Sequence, residues 1–199
     1  MDAQLANLPV TEAEPEPAPA SADLWLQRAS RGDVAAFREL LRTHRARVYS
    51  VALRFTGRRA DAEELAQDVF LQLHGALARI ESGAHLKHWL LRAITHRCLD
   101  RQRHDGRRPR LVPIEALPTE AEPLAPEQEQ DPLAGARLRS LLPQLAPDAR
   151  AVVLLRFQED LDPADIAVML DMSVNTVKSH VRRSVEWLRA QLAGDNHGY

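Results

Sequence analysis

The stretch that decides the fold runs from Asp160 to Leu188 and reads DLDPADIAVMLDMSVNTVKSHVRRSVEWL. Asp162 is a residue type that caps helix N-termini, and Pro163 after it has a backbone angle already set for a first helical turn, so the pair predicts a helix over 163–170. Asp171 and Met172 then make a short turn, and Ser173 caps a final helix that reaches about Leu192. Ile166, Ala167, Leu170, Val174 and Val177 form the packing set between these two helices, with Val181, Val185 and Leu188 continuing the inner face of the second. Two helices joined by a three- or four-residue turn are the helix-turn-helix pattern, in which the second helix enters the major groove. Its outward residues here are Asn175, Thr176, Lys178, Ser179, Arg182 and Arg183, a set able to contact phosphates and base edges, with no acid before Glu186. A plain helical hairpin with a solvated basic face has the same charges, but the caps and the packing set together favour DNA binding.

Upstream of this motif the chain is helical as well. Leu138, Leu141 and Leu142 precede Pro147, which opens a helix containing AVVLL. In the first half, Phe37, Leu40, Leu41, Val48, Val51, Ala52 and Phe55 recur at threes and fours until Gly57 breaks the run. A second helix starts near Asp61 with Ala62, Leu65, Ala66, Val69, Phe70, Leu73 and Leu77 on one face and Glu63, Glu64, Gln67 and Asp68 on the other. The Glu81-Ser82-Gly83 stretch ends it. A third helix spans about Leu86 to Arg103, with Leu86, Trp89, Leu90, Ala93 and Ile94 inward and His88, Arg92, His96 and Arg103 along another face. No alternating strand pattern occurs, so the expected fold class is all-α.

Charge and proline divide the chain into two helical domains. The net charge of −2 over 199 residues conceals a segment, residues 24–110, with 18 Lys or Arg against 9 Asp or Glu, a surplus suited to a polyanion. Residues 1–23 hold five acids and no base, with the run EAEPEPAPA, and read as a disordered acidic tail. Six prolines fall within 109–132 among further acids, which favours an extended, solvated connector. The expected organisation is therefore a tail over 1–23, a domain over 24–104, a flexible acidic Pro-rich linker over 105–132, a domain over 133–192, and a tail over 193–199. The longest apolar runs, such as Ala151 to Leu155, fall far short of the ~20 residues that cross a bilayer, so the chain is expected in the cytoplasm and not as a membrane protein. A lone cysteine, Cys98, has no partner for an internal disulfide or a thiolate zinc site.

The order of these segments resembles a known family. GDVAAFRELLRTHRARVYSVALRFTGRRADAEELAQDVFLQLHGAL resembles the region 2 opening of extracytoplasmic function (ECF) sigma factors of the sigma-70 superfamily. LLPQLAPDARAVVLLRFQEDLDPADIAVMLDMSVNTVKSHVRRSVEWLRAQL resembles their region 4. The resemblance implies an alternative sigma factor that binds core RNA polymerase and directs initiation by recognising −35 and −10 promoter DNA. It implies that Asp61, Glu63, Glu64, Gln67, Asp68 and Phe70 grip the clamp helices of the polymerase largest subunit. It implies that the loop Glu81–His85 and the helix after it open and read the −10 element, with Lys87, Arg92, Arg97, Arg101 and Arg103 as a phosphate track and His96 beside the flipped base. Relatives often carry asparagine where this chain has His96, a departure that bears on −10 base preference. The resemblance sends the last helix into the −35 major groove, with Lys178 and Arg183 as leading contacts. It further implies an anti-sigma factor as a probable partner, no cofactor and no catalysis.

Two other functions compete with it. A metal-dependent enzyme would draw on His85, His88, His96 and Cys98, but His88 and His96 stand two turns apart and no carboxylate sits at i+4 from His88, so no metal site is expected. A stand-alone repressor or activator would share the helix-turn-helix and leave the first domain without a role.

Overall fold

The structure, a computed structural model, describes residues 19–105 and 132–194. Eight α-helices follow one another: α1 Pro19–Ser30, α2 Val34–Thr56, α3 Arg59–Ala76, α4 Gly83–Asp105, α5 Pro132–Leu141, α6 Pro147–Phe157, α7 Pro163–Leu170 and α8 Val174–Gly194. Short 3-10 turns extend α3 at Leu77–Arg79 and α5 at Leu142–Gln144. No strand occurs among the described residues, and the fold is all-α as expected.

Local chemistry sets the helix ends. The Asp33 carboxylate accepts from the amides of Ala35 and Ala36 at 2.9 and 3.1 Å, which satisfies two orphan donors at the start of α2. These bonds, and then the guanidinium of Arg28 at 2.8 Å, hold the Asp33 carboxyl below its ordinary pKa. α2 ends at Gly57, whose φ of 70° is the left-handed conformation that costs other residues strain, and whose N–H closes on the Leu53 carbonyl at 2.8 Å. Pro147 and Pro163 both occupy first helical turns.

One boundary is corrected. Helix α1 begins at Pro19, inside the stretch expected to be tail, because Leu26 and Ala29 find burial against the rest of the first bundle. A single short helix gives little periodic signal next to a Pro- and Glu-rich run. The remaining tail residues and linker residues 106–131 lie outside the described residues.

The first bundle, α1–α4, buries Leu40, Val48, Val51, Phe55, Val69, Leu73, Leu86, Leu90 and Ile94. Burying one such side chain stabilises by roughly 1.5–3 kcal/mol. In α4 the burial is broader than expected, adding Leu91, Cys98 and Leu99, because α4 packs on α2 and α3 on one side and on α6 and α7 on the other. The second bundle, α5–α8, is centred on Leu142, Leu154, Leu155, Ile166, Val177 and Leu188.

The two bundles share one continuous apolar core, joined by specific polar contacts. Gln158 Nε2 donates to Ser50 Oγ at 2.8 Å in a buried setting. Arg150, 4% exposed, donates to the carbonyls of Phe55, Pro143 and Leu145, and its guanidinium lies 5.2 Å from the Phe55 ring centre. Arg47 pairs with Glu159 at 3.1 Å. His96 Nε2 donates to the Met169 carbonyl at 2.9 Å. The halves are thus closed on each other, whereas sequence reading pictured them only as tethered.

Candidate nucleic-acid and partner interfaces

α8 begins with a working cap: Ser173 Oγ accepts from the Thr176 amide at 3.0 Å. The turn before it is held by Asp171, at φ 55°, and by the Met172 amide donating to the Ala167 carbonyl at 2.9 Å. α7 starts at the expected Asp162, although that side chain makes no cap bond. Successive residues turn by 100°, so Asn175, Thr176, Lys178, Ser179, Arg182 and Arg183 spread over about 160° of the helix, opposite Val177, Ser184 and Leu188. Five of the six are exposed and Ser179 is half-buried. The first acid along α8, Glu186, stands 3.8 Å from Arg182. The structure therefore presents a basic, amide- and hydroxyl-bearing face from a helix fixed on its other side by Val177 and Leu188. Val174 departs from its expected packing role: at the first residue of α8 it is 38% exposed.

On α3, Glu63, Glu64 and Gln67 are exposed, Asp61 and Asp68 half-exposed, and Phe70 packs partly into the core. Two of these acids, Asp61 and Glu64, are engaged. Arg101 of α4 reaches Glu64 through both guanidinium nitrogens at 3.1 and 3.0 Å and Asp61 at 3.1 Å. Arg101 is the main cause that lowers the Glu64 pKa. Leu71, 66% exposed, adds an apolar spot on the same helix that the sequence reading passed over.

The six expected −10 residues of α4 do not form one track. On the helix, Arg92, His96 and Arg103 fall within about 40° of one another. Arg92 and Arg103 are exposed, and Arg103 pairs with Asp100 at 3.2 Å, while His96 is spent on Met169 across the closed seam. Arg97 and Arg101 turn toward α3, Arg97 against the Gln72 side-chain amide and Arg101 against the acids just described. Lys87 is half-buried near Glu159.

Between the end of α3 and the start of α4 lies a cleft of about 450 Å³ lined by Gln72, Ala76, Arg79, Ile80, His85 and Trp89. That volume is in the range of small-ligand sites. Arg79 and Gln72 were not singled out from sequence, since an isolated Gln or Arg at a helix end carries no pattern. Trp89, expected in the core, both packs against it and faces the cleft. The His85 ring accepts the Glu81 amide at 3.3 Å and the His85 amide donates to Ser82 Oγ at 3.1 Å, which sets the rim. Cys98 lies fully buried, its thiol pushed up to about 12 by desolvation. No group of three or more His, Cys, Asp or Glu is placed to hold a metal among the described residues. No helix among them is long and apolar enough to cross a membrane.

Comparison with known proteins matches both bundles. Residues 40–108 match the model of Sigma-70 region 2, and residues 135–188 match that of Sigma-70, region 4. The chain is 33% identical to the ECF RNA polymerase sigma factor SigE of Mycolicibacterium smegmatis over 90% of this chain and 70% of that one. It is 32% identical to the RNA polymerase sigma-E factor of Streptomyces coelicolor over 81% and 88%. Among solved structures, CnrH in complex with the cytosolic domain of CnrY superposes with a TM-score of 0.63 at 22% identity, over 88% of this chain and 99% of that one. RpoE of Bartonella quintana, in complex with the anti-sigma factor NepR, gives 0.59 at 21% over 80% and 98%. Regions 2 and 4 matched in that order, with 33% identity to an ECF sigma factor over 90% of this chain, place this chain in the ECF group of the sigma-70 family, the alternative sigma factors that direct promoter-specific transcription initiation.

Proposed function

We propose that the labour is divided by helix: α3 docks on core RNA polymerase, the head of α4 opens and reads the −10 element, and α8 reads the −35 element. The observation that carries this reading is the arc of Asn175, Thr176, Lys178, Ser179, Arg182 and Arg183 on α8, held outward by a capped, core-packed helix. Lys178 and Arg183 supply charge, and a bidentate guanidinium contact to guanine discriminates by ~1–3 kcal/mol. The cleft of Gln72, Arg79, His85 and Trp89 offers an aromatic edge, an amide and a cation to an unpaired base, the combination that holds a base out of its stack. Glu63, Glu64, Gln67 and Asp68 suit a partly basic helical partner. The protein performs no chemistry of its own and works in the cytoplasm.

The closed seam gives a physical route to control. His96 cannot face DNA while it donates to Met169, so promoter binding requires the halves to part. The connector then holds both DNA-reading helices on one polymerase, where two modest affinities combine through effective concentration. The solved relatives in complex with CnrY and with the anti-sigma factor NepR support an anti-sigma partner for this chain too.

Run-off transcription with core polymerase, with and without this protein, on a genomic promoter library tests the assignment. New starts that share a −35 and −10 pair are expected. Duplex binding without polymerase-dependent starts would instead identify a stand-alone regulator.

A further inference from the structure

Helix α1 precedes the matched part of region 2, which begins at residue 40, yet it touches the loop that forms the rim of the α3–α4 cleft. α4 has no acidic residue in its first turn, and its leading amides point toward solvent as unpaired donors unless something accepts from them. Ser82 serves the His85 amide as in a capping box, while the His85 ring reaches back one residue further and serves the Glu81 amide. The Gly83 amide is left over. Asp23 Oδ1, 60 residues away in sequence, accepts it at 2.6 Å. The same point is closely packed: a Cβ on Gly83 would stand 3.0 Å from that of Ala22, tighter than side chains ordinarily approach, so an alanine there would push the loop and α1 apart by a few tenths of an ångström. α1 itself is anchored separately by the buried Leu26 and Ala29, so Asp23 is a fixed post rather than a side chain following the loop. Ile80 and His85, on either side of Gly83, are walls of the cleft.

We propose that Asp23 is a positioning residue for −10 recognition: by capping Gly83 it holds the 80–85 rim, and so the shape of the cleft, without touching DNA. The inference rests on the assignment of that cleft to the −10 element. A carboxylate at a helix N-terminus also interacts favourably with the helix dipole, so both its acceptor and its charge contribute. Loss of the contact frees the loop to sample other arrangements, which slows the capture of an unpaired base and blurs the choice among bases.

The test uses holoenzyme reconstituted from the full chain and core polymerase, transcribing a promoter library randomised across the −10 window, as intact duplex and as a pre-melted heteroduplex, with transcripts sequenced. Asp23→Ala is expected to lower initiation on intact duplex about 3- to 10-fold, the worth of roughly one ordinary solvent-exposed hydrogen bond. It should also broaden base preference at one or two −10 positions and leave −35 preference unchanged. Asp23→Asn, which keeps an acceptor, should restore most of the wild-type preference. Gly83→Ala should reproduce the broadening, and adding Ala22→Gly should reverse it by removing the opposing methyl. An unchanged −10 preference in Asp23→Ala, against a clear one in the wild type, overturns the proposal alone. So does an equal loss on every template accompanied by a lower Tm, since α1 would then act only on stability. A wild-type holoenzyme with no preference in the −10 window overturns the assignment of the cleft and this inference together.

Discussion

Two buried side chains separate what residue type announces from what environment decides. A lone cysteine among histidines invites thoughts of a metal or redox centre, but Cys98 is fully buried with its thiol pushed up to about 12 by desolvation, far from the thiolate that reacts. Native protein should therefore leave a thiol reagent such as DTNB unconsumed at neutral pH and react stoichiometrically once unfolded; rapid labelling of the folded form would contradict the burial. Arg150 is the opposite case, a charge that sequence reading placed on no list because arginine in a helix is ordinarily solvated. Its guanidinium serves three carbonyls, one of them at the end of α2 in the other bundle, and burial lowers its pKa. Arg150→Ala strands those acceptors and should cost about 2–4 kcal/mol in denaturant unfolding. Arg150→Lys should recover little of it, since a compact ammonium lacks the planar fork that reaches all three.

At the scale of elements, legibility followed periodicity. α2, α3, α7 and α8 appear within a few residues of their expected bounds, because their apolar positions recur at threes and fours and their ends carry Gly57, Pro163 and Ser173. α1 carries little periodic signal, since Leu26 and Ala29 are its buried residues within 22–30 and their partners lie on other helices. The apolar stripe of α4 is wider than its local period announces, with Leu91, Cys98 and Leu99 buried as well: α4 also packs on α6 and α7, and no local period reports a contact made by a distant segment. The same limit explains the −10 residues. Lys87, Arg92, Arg97, Arg101 and Arg103 look alike in sequence, while α3 takes two of them for its own side chains. On α8 the arc of outward residues lies across the helix from Val177, Ser184 and Leu188. Ser173→Ala should cost about 1 kcal/mol of stability through the lost cap. Arg183→Ala discriminates the two uses of a cation: a phosphate contact predicts uniformly weaker −35 binding and a salt slope reduced by about 1, whereas a base contact predicts relaxed choice at one position. Equilibrium binding to a −35 duplex across a salt series, repeated with single-base variants, separates them.

For the whole molecule the consequential feature is the seam, and its polar contacts respond to pH in a direction that can be worked out. Glu159 sits at the seam facing Arg47, Lys87 and Arg54 as well as Gln158, yet burial outweighs those attractions and raises its pKa above the ordinary 4.5. When the halves part, Glu159 regains water and its pKa returns toward the ordinary value. Between the two values the closed form binds more protons, so closure is favoured as pH falls into that window and weakened as pH rises through it. Asp33 and Glu64, whose pKa values are lowered in the folded state, work the other way: their contributions are present above the ordinary carboxylate range and lost as pH falls. Since Glu64 and Asp33 lie on the first bundle and not at the seam, comparison of wild type with Glu159→Gln isolates the seam term. Distance probes on exposed positions of α3 and α8 should report a wild-type closed fraction that grows as pH falls from neutral toward the ordinary carboxylate range, with a smaller change in Glu159→Gln, which remains neutral throughout. At neutral pH that variant should be the more closed of the two, and the slower to form holoenzyme on promoter DNA, because it lacks the buried charge that opening relieves. Identical closure curves for the two proteins would mean that Glu159 is solvated in the closed form and that the seam is looser than the Gln158–Ser50 and His96–Met169 bonds require.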